Sequence, residues 1–371
     1  MSKTNRLFLY GTLCDPQLFA IVAGEVAQFK AAKLSDHCVN WVEGQNFPII
    51  SHATGSVAEG VVVEVAETAK ARLDFYELGF GYDLQSRTVY VGREESEALI
   101  YIPNPGRWTP GAPWSLADWQ SAHGAFTHEA AKDYMSLFGR LSAAEAAPLF
   151  GQIKCRAATR LRAMTRPSPR FDDASPAVEG VEVVSREQPF VGFFALQKDR
   201  LRYPRFDGSQ SEVVSRETLV GGDAVTVLPF DPVTGNVLVI RQFRHGPFVR
   251  GDANPWCLEP VAGRIDPGES ATEAAYRELE EEAGLSAIKM IEVSRYYPTP
   301  GAFSEHLTNF VALCDLSNAD GFLGGEANEH EDIRSDVIPL ARLEDLIANG
   351  VANTGPLIMS GQWLAANHRT L

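Results

Sequence analysis

Three glutamates on one short stretch, Glu278, Glu281 and Glu282, have the chemistry and the spacing needed to bind a cation. At about 100° per residue, a helix here would direct all three carboxylates into a sector of roughly 100°. Like charges so close together weaken an isolated helix, and a hard divalent cation removes that repulsion. The spacing therefore predicts a site for Mg²⁺, with Mn²⁺ as an alternative ion. A solvated acidic helix face is the competing interpretation.

The residues around these glutamates define the helix that positions them. Ser270 followed by Glu273 is a capping-box pattern, which predicts a helix start near residue 271. Gly284 fits the left-handed residue that ends such a helix. Arg277 lies on the flank of the carboxylates, where it can pair with one of them and hold its orientation. Glu269 lies near the helix start, where negative charge is favoured.

Residues 263–285, GRIDPGESATEAAYRELEEEAGL, resemble the Nudix box. They follow its whole pattern: glycine, five residues, glutamate, seven residues, then Arg-Glu-aliphatic-x-Glu-Glu-x-Gly-aliphatic. The resemblance implies a metal-dependent hydrolase that cleaves a pyrophosphate linkage in a small nucleotide, with Arg277 and Glu282 in its catalytic machinery. The matching positions are Gly263, Glu269, Arg277, Glu278, Leu279, Glu281, Glu282, Gly284 and Leu285.

A longer stretch, from about 216 to 340, is similar to the branch of ADP-ribose pyrophosphatases and nucleoside diphosphate sugar hydrolases. That branch implies that Arg244 and Glu259 line the nucleotide site. It also implies that the carbonyl of Ala262 joins the metal shell with the three helix glutamates. The segments that carry the similarity are RETLVGGDAVTVLPFDPVTGNVLVIRQFR (216–244), PWCLEPVAG (255–263), YYPTPGAFSEHLTNFVA (296–312) with its two prolines, and EHEDI (329–333).

The same resemblance implies that the proton acceptor lies in the EHEDI segment. Glu329 is the expected general base, and Glu331 is the near alternative, as base or as a further metal ligand. Water activated in this way attacks one phosphorus, so ADP-ribose would give AMP and ribose 5-phosphate. Trp256, Phe194 or Phe303 could stack on the base, although core packing is the usual role of an aromatic side chain.

The N-terminal residues 6–103 resemble a second family, the gamma-glutamylcyclotransferase-like (AIG2-like) proteins. The resemblance implies that a turn after the first strand offers backbone N–H groups to a substrate carboxylate. It also implies that Glu77 passes a proton to or from the gamma-glutamyl amine. A strand-turn with a capping carboxylate is the competing interpretation. The residues that carry the resemblance are the turn Tyr10, Gly11, Thr12 and Leu13, the strand GVVVEV (60–65), and LDFYE (73–77) followed by Tyr82.

Hydrophobic patterning predicts the elements that position both sets of residues. Strands are expected at 60–65 and 88–91, and a hairpin is expected from VTVLPFD and VLVIRQFR. Stretches rich in proline and glycine at 104–114 and 166–176 predict breaks. We therefore expect an α+β/α/β chain with a mixed β-barrel and flanking helices at 1–113, a helical connector at 114–176, and an α/β/α sandwich at 177–371. Residues 154–166 are basic, which favours a solvated helix face over a phosphate site.

The bulk composition limits the function classes. The chain has 371 residues and a formal charge of −15, which opposes binding to nucleic acid. No apolar run reaches membrane-span length, and the N-terminus lacks a signal-peptide cleavage pattern. The cysteines are Cys14, Cys38, Cys155, Cys257 and Cys314, without a CxxC pair, which favours free thiols in the cytoplasm.

Three functions compete at this stage. The first is a pyrophosphohydrolase, and the second is a cyclotransferase with the C-terminal half as its partner. The third is a module that senses a nucleotide or peptide without turnover. Fusions of these two domain types occur among proteins named for tellurite resistance, a name that says little about the reaction. Relatives of the C-terminal half are usually homodimers with an exchanged N-terminal sheet, which implies a homodimer here.

Overall fold

The structure is a computed structural model that describes residues 4–169, 176–325 and 331–371. The chain divides into two units, Met1–Pro167 and Ser168–Leu371. Both expected architectures are present, a mixed β-barrel with flanking helices and an α/β/α sandwich. Among the described residues, no helix is long and apolar enough to cross a membrane.

The first unit contains six strands and six α-helices within its described residues. The strands pair in the order β3-β1-β5-β4-β2-β6, and an additional β2–β3 pairing closes five of them into a barrel. The β1–β5 pairing is parallel, which makes the barrel mixed. The elements are β1 (Thr4–Leu9), α1 (Pro16–Ala23), β2 (Lys30–Val42), β3 (Pro48–Ala66), α2 (Glu67–Leu78), β4 (Tyr82–Val91), β5 (Glu94–Pro103), β6 (Pro110–Pro113), α3 (Leu116–Trp119), α4 (Ala125–Met135), α5 (Ala143–Ala146) and α6 (Phe150–Thr165).

The barrel is filled by apolar side chains, including Phe8, Val62 and Ile100. Leu7 and Leu9 on the other face of β1 are buried as well. A strand that is buried on both faces needs a cover on its outer side, and the helices of this unit provide it.

The segment 114–176 is not a separate connector in its described part. Helix α4 packs against α2 and the residues just after it, because the Tyr134 ring lies 5.1 Å from Phe75 and 5.6 Å from Phe80. Helix α6 joins the same cluster through Phe150, which lies 5.4 Å from Tyr134. These long-range aromatic contacts place residues 116–165 in the first unit. Residues 170–175, in the second break, lie outside the described residues.

The segment 104–114 also differs from a bare linker. Its residues Pro110–Pro113 form β6, which pairs with β2 at the edge of the sheet. Trp114 then packs against Trp41, with ring centroids 4.3 Å apart. Proline is tolerated in an edge strand, because its missing N–H can face away from the ladder. The proline content that predicted a break is therefore compatible with an edge strand.

In its described part, the second unit contains an eight-stranded sheet and a separate three-stranded sheet, β7-β8-β9. The main path of the large sheet is β14-β15-β10-β11-β17-β16, with β12 beside β11 and β13 beside β10. The elements are β7 (Glu182–Val191), β8 (Ala195–Arg202), β9 (Val214–Val220), β10 (Ala224–Asp231), β11 (Asn236–Phe243), α7 (His245–Arg250), β12 (Trp256–Glu259), β13 (Val261–Arg264), α8 (Ala271–Ala283), β14 (Lys289–Tyr296), β15 (Leu307–Leu313), β16 (Leu323–Gly324), β17 (Ile333–Pro339), α9 (Leu340–Ala348) and α10 (Gly355–Asn367).

Alternation along the central strands divides the core of this unit into two layers. On β10, Val225 and Val227 point to the layer that contains Leu279 of α8. Leu228 and Phe230 point to the opposite layer, which contains residues of α9 and α10. Side chains alternate between the two faces of a strand, so both faces of this sheet need a helical cover. The predicted hairpin corresponds to β10 and β11, which are antiparallel.

Candidate functional site

Helix α8 has the predicted caps. The Ser270 hydroxyl accepts the Glu273 N–H, the Glu273 carboxylate accepts the Ser270 N–H, and Gly284 has φ +62°. The helix therefore runs from Ala271 to Ala283 and holds Glu278 and Glu282 on its buried face, where their exposed fractions are 9% and 1%. Two carboxylates at this depth are unusual, since charged groups are rarely buried unless they are paired.

Arg277 links the acidic groups at this end of the helix. Its guanidinium donates to Glu278 at 2.6 Å, to Glu281 at 2.9 Å and to both oxygens of Glu269 at 3.0 Å. It also donates to the backbone oxygen of Arg264 at 2.9 Å. One planar cation thus fixes three carboxylates and the adjacent strand, which is the geometry for which arginine is suited.

Strand β13 faces the two buried carboxylates at close range. The Ala262 N–H donates to Oε2 of Glu282 at 2.9 Å. At Gly263, an added Cβ would lie 1.9 Å from both Cδ and Oε1 of Glu278. Only a residue without a side chain leaves space for that carboxylate. The glycine is therefore required by the position of Glu278.

The protein environment disfavours the charged forms of these carboxylates. Burial raises the pKa of Glu282 to about 9, although the Ala262 N–H opposes the shift. Burial also raises the pKa of Glu278 to about 7, against the lowering effect of Arg277, with a further increase from Glu281. A nearby cation would stabilise the charged forms of both groups.

The donor set fits a divalent metal ion by its chemistry. Within the described ranges, no three acidic, imidazole or thiol groups already converge as a ligand cluster. Arg277 instead occupies one oxygen each of Glu278 and Glu281. The buried carboxylates and the cleared space at Gly263 nevertheless supply the oxygen ligands that Mg²⁺ and Mn²⁺ prefer.

A second group of side chains adjoins the carboxylates. Nε of Arg244 donates to Glu259 at 2.6 Å, so the two residues predicted to line the nucleotide site are in contact. The charge of Arg244 also opposes the rise that burial causes in the pKa values of Glu282 and Glu305, so Arg244 lies within electrostatic range of both. Arg244 remains 39% exposed and can thus contact a ligand.

Glu305 and Asp223 were not predicted from the sequence. Burial raises the pKa of Glu305 to about 7, opposed by Arg264 and reinforced by Asp223. Asp223 itself is 8% exposed. Both residues lie just before core strands, β15 and β10, and an acidic residue at a strand entrance was the only available signal.

The three aromatic candidates for base stacking separate in the structure. Phe194 and Phe303 lie 5.3 Å apart, and the Arg264 guanidinium lies 5.6 Å from Phe194. The Arg264 guanidinium is also 3.8 Å from Phe193, which the sequence did not single out. Trp256 is 64% exposed and packs against Phe243 instead. Phe194, with Phe303 packed against it, therefore lies beside Arg264 of β13.

Of the two glutamates of the EHEDI segment, the structure describes Glu331 alone. Glu329 lies outside the described residues. Glu331 is described, and its charge raises the pKa values of Glu278 and Glu282. Glu331 also approaches Gly325, because a Cβ added at Gly325 would lie 2.7 Å from the Cβ of Glu331. Glu331 therefore belongs to the same acidic cluster.

The first unit contains a cavity of about 310 Å³. The predicted turn from Tyr10 to Leu13 and the predicted Glu77 both line it. Glu77 is on the last turn of α2, and burial raises its pKa to about 7. The structure thus brings together the residues that were predicted from the N-terminal pattern.

Tyrosines hold the walls around Glu77. The Tyr10 hydroxyl donates to the backbone oxygen of Tyr101 at 2.8 Å, and the Tyr101 hydroxyl donates to Asp74 at 2.8 Å. Asp74 in turn pairs with Lys70 at 2.7 Å. Burial raises the pKa values of Tyr10, Tyr82 and Tyr101. These hydroxyls therefore stay protonated, and Tyr10 and Tyr101 donate their protons within the wall itself.

Comparison with known proteins matches a different family model to each unit. Residues 221–359 match the family model described as NUDIX domain, and residues 7–121 match the model described as gamma-glutamyl cyclotransferase, AIG2-like. An ADP-ribose pyrophosphatase of Escherichia coli (strain K12) is 37% identical over 191 residues, which are 52% of this chain and 90% of the relative.

Further relatives match the same part of the chain. An ADP-ribose pyrophosphatase of Haemophilus influenzae is 31% identical over 195 residues, covering 52% of this chain and 89% of the relative. A GDP-mannose pyrophosphatase of Pectobacterium atrosepticum is 29% identical over 179 residues, covering 48% and 91%. A crystal structure of an ADP compounds hydrolase is 25% identical with a TM-score of 0.37, covering 55% of this chain and 100% of that chain.

Proposed function

Because the chain belongs to the Nudix hydrolases, we propose that its second unit hydrolyses the pyrophosphate linkage of nucleoside diphosphate sugars, with ADP-ribose as the preferred substrate. The observation that carries the proposal is the pair of buried carboxylates, Glu278 and Glu282, held against Gly263 and Ala262. The relatives named for ADP-ribose and GDP-mannose support this substrate class.

The proposed metal ligands are the carboxylates of Glu278, Glu281 and Glu282 together with the carbonyl of Ala262. Mg²⁺ is the proposed ion, with Mn²⁺ as a substitute. When bound, such ions neutralise phosphate charge and lower the pKa of water. Arg277 orients Glu278 and Glu281 through the contacts described above.

The remaining residues bind the nucleotide and move the proton. Arg244, oriented by Glu259, holds a phosphate or the ribose. A glutamate of the 329–331 loop accepts the proton of the attacking water, and the charge effects of Glu331 on the cluster support that location. The new P–O bond forms as the bridging P–O bond breaks, so ADP-ribose gives AMP and ribose 5-phosphate.

A panel of nucleotide sugars tests this proposal. The full chain is incubated with Mg²⁺ and each substrate, and the products are separated by chromatography. We expect ADP-ribose to be cleaved fastest, and we expect Glu282→Gln to lower kcat by at least about 10²-fold. Wild-type activity in EDTA, or in the Glu282→Gln variant, would falsify the proposal.

A second candidate function belongs to the first unit. Glu77 in the cavity beside the Tyr10–Leu13 turn favours a gamma-glutamyl cyclotransferase. In that reaction the α-amine attacks the γ-carbonyl, the amide C–N bond breaks, and the proton lost by the α-amine reaches the leaving amine through Glu77. Release of 5-oxoproline measures it, and Glu77→Gln is expected to abolish it. A ligand sensor would bind without releasing 5-oxoproline.

We also propose that the second unit forms a homodimer through its three-stranded sheet. Val183, Phe190 and Leu219 on this sheet are 45%, 58% and 42% exposed, which leaves apolar surface for a partner. Light scattering measures the mass in solution, and a monomer at micromolar concentration would contradict the proposal.

A further inference from the structure

The cavity of the first unit has walls from two parts of the chain. One wall comes from the region that matches the cyclotransferase family, residues 7–121. Another part of the lining comes from α4 and α6, which follow that region, and it includes Phe126, Phe150 and Lys154. The ligand space is therefore shaped in part by helices outside the family match.

Charge is sparse on the cavity lining. Among the described residues that line it, Glu77 is the only acid and Lys154 is the only base. Lys154 is half-buried, and its Nζ lies 5.9 Å from the centroid of the Phe150 ring. Within the described part of the chain, no carboxylate lies within ion-pair distance of it. A half-buried ammonium that lies beside a ring and has no carboxylate partner among the described residues has capacity for an anion.

Much of the remaining lining is aromatic, from both the matched region and the helices that follow it. Phe80 and Phe150 pack at 5.1 Å, and Phe47 packs on Trp108 at 5.1 Å. All four side chains line the cavity. A volume of about 310 Å³ is at the small end of the range for small-molecule sites. The lining thus suits a compact ligand with an apolar group and one negative charge near it.

We propose that this cavity selects gamma-glutamyl amides whose amine portion is an apolar or aromatic amino acid, and that Lys154 is the residue that recognises its carboxylate. The inference rests on the second candidate function, which places the gamma-glutamyl group at the Tyr10–Leu13 turn and Glu77. The amine portion then extends to the wall built by α4 and α6. Lys154 is a specificity-determining residue with no part in the bond-breaking step.

Three probes separate the two features of the ligand. Gamma-glutamylphenylalanine carries both the ring and the carboxylate, its C-terminal amide lacks the charge, and gamma-glutamylglycine lacks the ring. Calorimetric titration of the full chain is expected to show the acid binding at least about tenfold tighter than the amide, as for a hydrogen bond to a charged group. It is expected to bind at least about tenfold tighter than the glycine compound as well.

Lys154→Met tests the assignment. Lys33→Met is the matched control, because Lys33 is 60% exposed on β2, pairs with Glu59 and does not line the cavity. Lys154→Met should remove the preference for the acid over the amide and keep the preference for phenylalanine over glycine. Lys33→Met should keep both preferences. Equal binding of acid and amide by the wild type, retention of that preference in Lys154→Met, or no binding of any probe would overturn the inference.

Release of 5-oxoproline in the same samples distinguishes this inference from the candidate activity. Selective binding without 5-oxoproline release supports the role of Lys154 and rejects the cyclotransferase. Release of 5-oxoproline at equal rates from acid and amide, with equal affinities, supports the cyclotransferase and rejects the role of Lys154.

Discussion

Substitution of Gly263 by alanine is the sharpest test of the carboxylate cluster. The added Cβ would lie 1.9 Å from Cδ and Oε1 of Glu278, so the carboxylate has to shift by about 1.1 Å to reach 3.0 Å. The φ of Gly263 is not in the left-handed region, which means that alanine itself fits the backbone. The perturbation is therefore a displacement of Glu278 with little other change.

The magnitude follows from that displacement. A shift of about 1 Å in a positioned catalytic group costs about 10²-fold in rate, or about 2.7 kcal/mol of activation free energy. We expect kcat/KM for ADP-ribose hydrolysis to fall by that factor. The free energy of unfolding should fall by only about 1–3 kcal/mol, the usual cost of one extra methyl group in a packed region.

Steady-state kinetics and thermal melts of the full chain measure both quantities. Gly355→Ala is the matched control, because an added Cβ there meets nothing within 4 Å. A double-mutant cycle with Glu278→Gln separates a local effect from general damage. Glu278→Gln should cost about 10²-fold in the wild-type background and far less in Gly263→Ala, since the carboxylate is already displaced.

Two results would refute this reasoning. The first is a Gly263→Ala variant with unchanged kcat/KM, because the close approach would then have no bearing on activity. The second is additivity of the two substitutions in the cycle, because Gly263 would then act through something other than Glu278.

Three further predictions concern the loop, the two units and pH. Glu329→Gln should reduce kcat by roughly 10²- to 10⁴-fold with little change in Mg²⁺ affinity. Glu331→Gln should weaken Mg²⁺ binding, because the charge of Glu331 acts on the helix carboxylates. Kinetics with metal titration measure both effects, and the reverse pattern would exchange the two roles. A chain of residues 176–371 should keep most of the kcat/KM for ADP-ribose hydrolysis, because α4 and α6 pack in the first unit. A folded fragment without hydrolysis would show that the second unit needs the first for activity. Burial raises the pKa of Glu77 from 4.5 to about 7, so ionisation of Glu77 lowers the free energy of unfolding as pH rises from 4.5 to 7. Calorimetry should find Glu77→Gln and wild type equally stable near pH 4.5 and the variant more stable at pH 8. Parallel pH profiles of the two proteins would contradict the shift.

The sequence predicted the carboxylate helix well, because its signals are local. The Ser270–Glu273 capping box and Gly284 specify α8 within one residue at each end, and both are present in the structure. The hairpin of β10 and β11 was equally readable from alternation and a turn-rich loop. Signals of this kind depend on residues a few positions apart and need no knowledge of the tertiary fold.

For the helices after residue 114, local sequence signals predict the helices but not their packing. Their existence was predicted, but their packing depends on Tyr134 meeting Phe75 and Phe80. Those partners are more than 50 positions away in the chain, so no periodicity reports them. Lys154 illustrates the same limit, since its basic segment was interpreted as a solvated face although Lys154 lines the cavity.

The site residues divide in the same way. Arg244 and Glu259 were both assigned to the nucleotide site by resemblance. The structure places Nε of Arg244 2.6 Å from Oε2 of Glu259, and their role in binding stays a prediction. Asp223 and Glu305 were missed, because strand order brings them together across 82 positions of chain. The assignment of the general base also stays a prediction, since Glu329 lies outside the described residues.

The short strand β6 has a consequence for self-association. It is the last strand of its sheet, and an unpaired edge is a template on which another chain can add a strand. Two of its four residues, Pro110 and Pro113, have no backbone N–H, so a foreign strand finds few donors there. Replacing both prolines by valine would restore those donors on an exposed, β-prone segment and create an aggregation hazard. The prolines that predicted a linker thus protect the edge strand β6 from pairing with another chain.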